Sequence, residues 1–436
     1  MQKRIRRALA LCVCAVTLFI LPVSVSASDD NPPPAVERAA GAYLYNFEND
    51  QVLYEYEADK RIYPASTVKL MTGIIAMEEL GGDMDATITV TSDMLSKVVG
   101  NRIGLKVGEI VSVRDMLHAL LVNGANDAAQ VLAVAVSGSV EEFVTRMNQK
   151  AQLIGAYNTY YTNPTGMHSD AMITTVTDTA TIAKYAYRLP GFTDITSVTK
   201  YVMDATNLQD YRNLFNRNSQ LSKYYDTRYY YPDSLGLNSG YTVQAGYCLV
   251  SVARRDDLTY LCVVMNAEET EEAVYSYENT EMLLEWAFSS FKYTEVLSDS
   301  VRICEIPVRL SSTVDYVTLV PAQSIVRYLP AHIEPESDIR YSYTTHSEQL
   351  EAPVEAGQVC GTVTVSLGDE ILGSADLVST SSVTRSEFLY MLERIQAFTE
   401  GRFFRATIVF LIVFTIAYVL WEARRREKKL RHHRRF

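Results

Sequence analysis

A run of sixteen uncharged residues, Ala406 to Trp421, lies near one end of this chain, and twelve residues rich in Arg and Lys follow it at 424–435. At about 1.5 Å per residue a helix over this run spans roughly 24 Å, and Phe403, Phe404 and a snorkelling Arg405 lengthen it. A buried core helix would not end in so many cations, so the pattern predicts one transmembrane helix over 403–421. Cations beside an apolar helix stay in the cytoplasm, which places the basic tail, 422–436, inside and the main body outside. The opposite end reads as an address label. Lys3, Arg4, Arg6 and Arg7 precede an apolar stretch from Ala8 to Val23, and Val25-Ser26-Ala27 supplies small residues for cleavage after Ala27. The expected signal peptide is 1–27, with an uncleaved anchor as the alternative.

Charge sharpens this division. The signal carries +4 and residues 401–436 carry +8, so with the whole chain at −12 the segment 28–400 carries −24. Such an exterior is a poor match for nucleic acid, which selects cations. The six histidines show no metal-ligand spacing, and His118 sits in a helical pattern as a packing residue. Cys248 and Cys262 lie in apolar strand-like runs and read as small core residues, while Cys304 and Cys360 could pair outside the cell.

A proline-rich linker occupies 28–37. Gly41 to Tyr56 alternates around Asn49-Asp50, the pattern of a hairpin, and Tyr247–Ala253 with Leu258–Met265 forms a second. Between them, Pro64-Ala65-Ser66 opens a helix whose apolar positions are too dense for a surface element. Arg114 to Val136 reads as helical with a break at 123–127, Val140 to Leu153 as a further helix, and Glu268 to Phe291 as the last. Strands at both ends of a helical middle make this domain, 38–295, α+β. From 296 to 383, short alternating runs bounded by Gly361 and Gly368-Asp369 predict a small β-sandwich. A juxtamembrane helix over 384–402 leads into the span.

Ser66-Thr67-Val68-Lys69 is the candidate chemistry. Residues three apart share a helix face, and a neutral lysine one turn after a serine can take its hydroxyl proton. The spacing recurs at Ser197–Lys200 and Ser289–Lys292, but only Ser66 heads a buried helix, where developing negative charge is favoured.

Tyr63-Pro64-Ala65-Ser66-Thr67-Val68-Lys69-Leu70-Met71-Thr72 resembles the S-x-x-K segment of the penicillin-binding serine D-alanyl-D-alanine carboxypeptidases. The likeness continues in order through Asn126-Asp127-Ala128-Ala129, Asn163-Pro164-Thr165-Gly166-Met167, Gly240 to Cys248 and Leu283-Leu284-Glu285-Trp286. The resemblance implies a DD-peptidase/β-lactamase-like domain ahead of the family's C-terminal β domain. It implies Ser66 as nucleophile, Lys69 as general base and Asn126 as the amide that steers the substrate backbone. It also implies an oxyanion hole from the amides of Ser66 and Tyr241, with Ser239 and Gly240 beside the substrate and Ser239 meeting its carboxylate. Peptidoglycan peptides are the implied substrate, β-lactam antibiotics the implied inhibitors, the cytoplasmic membrane the implied site, and no cofactor or metal is called for.

Two motif positions depart from the family. Gly124 stands where the S-x-N serine is expected, and Asn238 stands where the K-T-G lysine is expected. The first removes a proton relay, worth about 10²–10⁴-fold in rate. The second removes a cation, whose hydrogen bond is worth roughly 1.5–3 kcal/mol. Lys223 and Arg228, in the loop before Asn238, are candidates to replace that cation. The tyrosine-rich run from Tyr224 to Tyr231 reads as a structured loop, with a carbohydrate-stacking surface as the alternative. Three functions follow: a carboxypeptidase, a weakly active or inactive relative that binds wall peptides, or a scaffold for wall enzymes.

Overall fold

The structure is a computed structural model that describes residues 31–433. The expected signal peptide lies outside the described residues, as do 28–30 of the linker and the last three residues of the tail. The chain divides into two compact units, one running to Lys292 with Leu329–His332 added, the other holding the remainder.

In the first unit, strands β1 (Gly41–Asn46) and β2 (Gln51–Tyr56) form the expected hairpin. The short pairs β3 (Thr87–Thr89) with β4 (Ile110–Ser112) and β5 (Lys200–Met203) with β6 (Arg212–Phe215) stand apart from the main sheet. That sheet adds β7 (Ser234–Thr242), β8 (Gly246–Arg255) and β9 (Leu258–Ala267) in the order β2-β1-β9-β8-β7. All its neighbours are antiparallel.

The central strands are apolar on both faces because both faces are covered. Val250, Val252, Leu261, Val263 and Met265 join the main core. On the other face Leu249 packs with Val274 and Tyr277, while Tyr260 meets Phe288 edge-on.

The helices are α1 (Val68–Leu80), α2 (Val113–Leu121), α3 (Asn126–Ser137), α4 (Val140–Leu153), α5 (Val176–Arg188), α6 (Phe192–Thr196) and α7 (Tyr275–Ser290). Three start on side-chain caps: Ser112, Ser139 and Thr175 accept from the amides of Asp115, Glu142 and Asp178. Each satisfies an amide that the first helical turn leaves without a partner. α1 is buried from Val68 through Met77, which explains its dense apolar content.

One helix starts later than the sequence suggests. The segment 268–274 is a loop, because the Thr270 hydroxyl accepts from the amides of Glu272 and Ala273 and turns the chain before α7. Serine and threonine side chains compete with helical backbone bonds in this way.

The second unit is a β domain. Its strands, after the shared β10 (Phe291–Leu297), are β11 (Cys304–Arg309), β12 (Tyr316–Pro321), β13 (Ile325–Pro330), β14 (Ile339–Thr345), β15 (Leu350–Glu351), β16 (Val359–Leu367) and β17 (Glu370–Ser379). Six of them form one sheet in the order β14-β16-β17-β12-β11-β15, and β10 pairs with β13. Cys304 and Cys360 do not bridge: both are free thiols, and Cys360 Sγ instead donates to the carbonyl of Gln358 at 3.3 Å. Helix α8 (Pro335–Asp338) is a single turn, and α9 (Glu387–Glu400) precedes α10 (Arg402–His433). Within α10, Arg402–Arg426 is long and apolar enough to cross a membrane.

Candidate active site

Ser66 sits in a 3-10 turn, Ala65–Thr67, that runs directly into α1. Ala65, just before it, adopts φ +49°, a left-handed conformation that side chains resist. Three neighbours fix the turn. Thr67 Oγ1 donates to the carbonyl of Pro64 at 2.6 Å, and Thr72 Oγ1 donates to that of Pro164 at 2.7 Å. The loop that carries Pro164 is tied by Asn163, whose Oδ1 accepts from the amides of Thr165 and Gly166. A side chain at Gly166 would lie 2.0 Å from the carbonyl oxygen of Ala65, so only glycine lets this loop pass so close.

Lys69 is 1% exposed. Its Nζ donates to Ser66 Oγ at 3.0 Å and to the carbonyl of Thr165 at 2.6 Å. Burial, and then the nearby positive charge of Arg217, lower its pKa from 10.5 to about 7. Desolvation penalises the ammonium form, and a like charge does the same. A substantial fraction of neutral amine beside a hydroxyl is thus available near neutral pH, which is what a nucleophile with its own base requires.

On the opposite side β7 brings Ser239, Gly240 and Tyr241 against the turn. A Cβ at Gly240 would fall 2.6 Å from the amide nitrogen of Ser66 and 3.0 Å from its Cα and Cβ. The strand therefore touches the nucleophile turn through a bare backbone. The hydroxyl of Tyr277, which also lines this side, accepts from the amide of Ser219 at 3.2 Å. A cavity of about 440 Å³ lies between these elements and is lined by Ser66, Gly124, Ser239, Gly240 and Tyr241 among others.

Of the remaining sequence candidates, Gly124 lines the cavity, whereas Asn126 and Asn238 do not. Asn126 opens α3 and is 4% exposed; its Nδ2 donates to the carbonyl of Val99 at 2.7 Å. Its Oδ1 is a buried acceptor with no partner among the described residues. Asn238 is buried within β7 opposite Val250. Gly124 has φ +71°, so a serine here would be strained as well as a hydroxyl richer.

The cation bordering the cavity is one that sequence reading missed. Neither Lys223 nor Arg228 lines it: Lys223 Nζ stands over the ring of Tyr230 at 4.0 Å, and Arg228 is held by Asp226. Arg217 does line it. Its amide donates to the carbonyl of Val122 at 3.0 Å, its Nη2 donates to Asn101 Oδ1 at 2.8 Å, and its guanidinium stands over Tyr225. Asn101 in turn donates to the carbonyl of Asn123 at 2.6 Å, so the network wraps Gly124. The tyrosine-rich run is ordered: Tyr225 and Tyr229 line the cavity, and Tyr229 stacks on Tyr277 at 4.7 Å. His118 is a packing residue, buried and stacked on Tyr201 at 3.9 Å. Among the described residues no three His, Cys, Asp or Glu side chains gather as a metal ion would need.

Antiparallel sheet, buried helix and serine–lysine pair together define a penicillin-binding protein fold, followed along the chain by a β domain. The profile of the D-alanyl-D-alanine carboxypeptidase family matches residues 27–269, and the chain belongs to that family. Residues 291–385 match the C-terminal domain of penicillin-binding protein 5. The D-alanyl-D-alanine carboxypeptidase DacF of Bacillus subtilis is 27% identical over 394 residues, covering 89% of this chain and 97% of its own length. The DacA carboxypeptidase of Escherichia coli K12 is 27% identical over 405 residues, 88% of this chain and 94% of its own. Penicillin-binding protein 5 from Haemophilus influenzae superposes with a TM-score of 0.57 at 26% identity, covering 81% of this chain and 99% of its own.

Proposed function

We propose that the chain is a serine D-Ala-D-Ala carboxypeptidase that acts on peptidoglycan stem peptides through an acyl-enzyme on Ser66, at a reduced rate. The observation that carries this reading is the 3.0 Å contact between Ser66 Oγ and the desolvated Lys69 Nζ. Lys69 takes the hydroxyl proton as Oγ attacks the penultimate D-Ala carbonyl. The amides of Ser66 and Tyr241 hold the oxyanion and Ser239 positions the peptide, while Asn126, which is buried outside the cavity lining with only its Oδ1 unpartnered, reaches the peptide only if its amide turns outward. The C–N bond then breaks, the proton on Lys69 passes to the departing D-alanine amine, and water hydrolyses the remaining ester. A β-lactam opens on the same serine.

Gly124 and Asn238 slow these steps. With no hydroxyl at 124 the proton must travel directly or through water, and positioned transfer is worth about 10²–10⁴-fold. Asn238 offers an amide in place of a cation. Arg217 supplies the missing charge: it borders the same cavity, is tethered by Asn101, and can meet the carboxylate of the terminal D-alanine.

The same two substitutions favour a second reading, binding of wall peptides without turnover. Release of D-alanine from a D-Ala-D-Ala pentapeptide separates them. Release by the wild type that Ser66→Ala abolishes supports the first; peptide binding with no release supports the second. In either reading the signal 1–27 exports the chain, α10 anchors it, the domains 38–295 and 296–383 lie on the outer side of the cytoplasmic membrane, and the basic tail lies in the cytoplasm.

A further inference from the structure

A groove of about 610 Å³ runs past the end of β7 and adjoins the serine cavity, with which it shares Tyr241 and Tyr247. The two rings pack with their centroids 4.4 Å apart and form the ridge between the two depressions. Four charged side chains surround the groove: Arg38, Lys60, Glu268 and Glu269. Two of them satisfy each other, since Arg38 Nη1 lies 3.1 Å from Glu268 Oε2. Lys60 and Glu269 have no salt-bridge partner among the described residues, and the one hydrogen bond to the Glu269 carboxylate comes from the neutral hydroxyl of Tyr247. The groove thus presents one uncommitted ammonium and one uncommitted carboxylate, both solvent-facing, beside a reaction site.

The direction of the substrate follows from β7. Ser239 meets the terminal carboxylate, so the leaving residue lies toward Ser239 and the acyl portion runs the other way, past Tyr241 and Thr242. That path ends at Val243, which is 82% exposed on the groove's rim. We propose that this groove is the binding site for the peptide segment upstream of the scissile bond, with Glu269 engaging a free primary amine on a side chain and Lys60 a carboxylate. The inference rests on the acyl-transfer reading of Ser66 for its direction. An amine already converted to an amide carries no charge, so the site selects peptides whose side-chain amine is free. Ion pairs this exposed contribute little, so the preference is about fivefold at most.

The test uses the full chain in detergent carrying Ser66→Ala, titrated with two pentapeptides ending in D-Ala-D-Ala. They differ only at the third residue, lysine in one and Nε-acetyl-lysine in the other. The lysine peptide is expected to bind two- to fivefold more tightly, and adding Glu269→Gln should abolish the difference. Adding Lys60→Met should weaken both peptides and leave their ratio unchanged. Equal affinity for the two peptides, or no binding of either, overturns the groove. The reaction is read separately, by β-lactam acylation of the wild type: a preserved lysine preference with no acylation sinks the acyl-enzyme and leaves the groove standing.

Discussion

At the residue scale the proposed chemistry turns on Lys69 and Arg217. Lys69 has a folded pKa of about 7 against an ordinary 10.5, so between those values the unfolded chain binds the extra proton. Through this residue, stability rises with pH from about 7 to about 10.5, and below 7 the cost of a buried ammonium is present in full. Lys69→Met should therefore flatten the pH dependence of Tm across that window while abolishing acylation, as read by thermal melts from pH 6 to 10. Acylation by a β-lactam should rise with pH through a midpoint near 7. Because the Arg217 charge helps to depress Lys69, Arg217→Ala should shift that midpoint upward. If Arg217 holds the substrate carboxylate, the same variant should also lower peptide kcat/KM about 10-fold or more. A midpoint that does not move would show that burial alone tunes the lysine.

At the scale of elements, the site depends on how closely β7 approaches the turn before α1. Gly240→Ala would place a methyl 2.6 Å from the Ser66 amide nitrogen, inside contact distance. Overpacking of this kind costs about 1–3 kcal/mol. The fold has a large core to absorb it, so the expected outcome is a cooperative melt lowered by a few degrees together with loss of β-lactam labelling. Full labelling would mean that the strand and the turn move apart freely.

These elements also mark where the sequence was legible. The buried helix after Ser66, the hairpins at 41–56 and 247–265, and the helix break at 123–127 all follow from local periodicity and turn residues. Arg217 was not legible, because a tertiary bond from its amide to Val122 brings it to the cavity and no spacing encodes that. Gly124 carried a hidden fact of the same kind. Its left-handed φ makes it a backbone requirement as well as a missing hydroxyl. The start of α7 was misjudged because the side chain of Thr270 captures amides that a helix would have used.

At the scale of the whole molecule, one apolar helix carries the proposed membrane attachment. Arg402–Arg426 is the stretch long and apolar enough to cross a membrane among the described residues, and α9 ends just before it. A chain terminated after Glu400 should appear in the soluble fraction, whereas the full chain should require detergent. Soluble behaviour of the full chain would remove the anchor from the account. The chain belongs to the carboxypeptidase family, and the proposed reaction rests on one oxygen, the hydroxyl of Ser66. The most direct measurement is therefore intact-mass analysis of the full chain after exposure to a fluorescent penicillin, with the adduct mapped by peptide sequencing. The account predicts one penicilloyl adduct on the peptide containing Ser66, with none formed by Ser66→Ala. An adduct that persists in Ser66→Ala, or a wild-type chain that takes none, would contradict it.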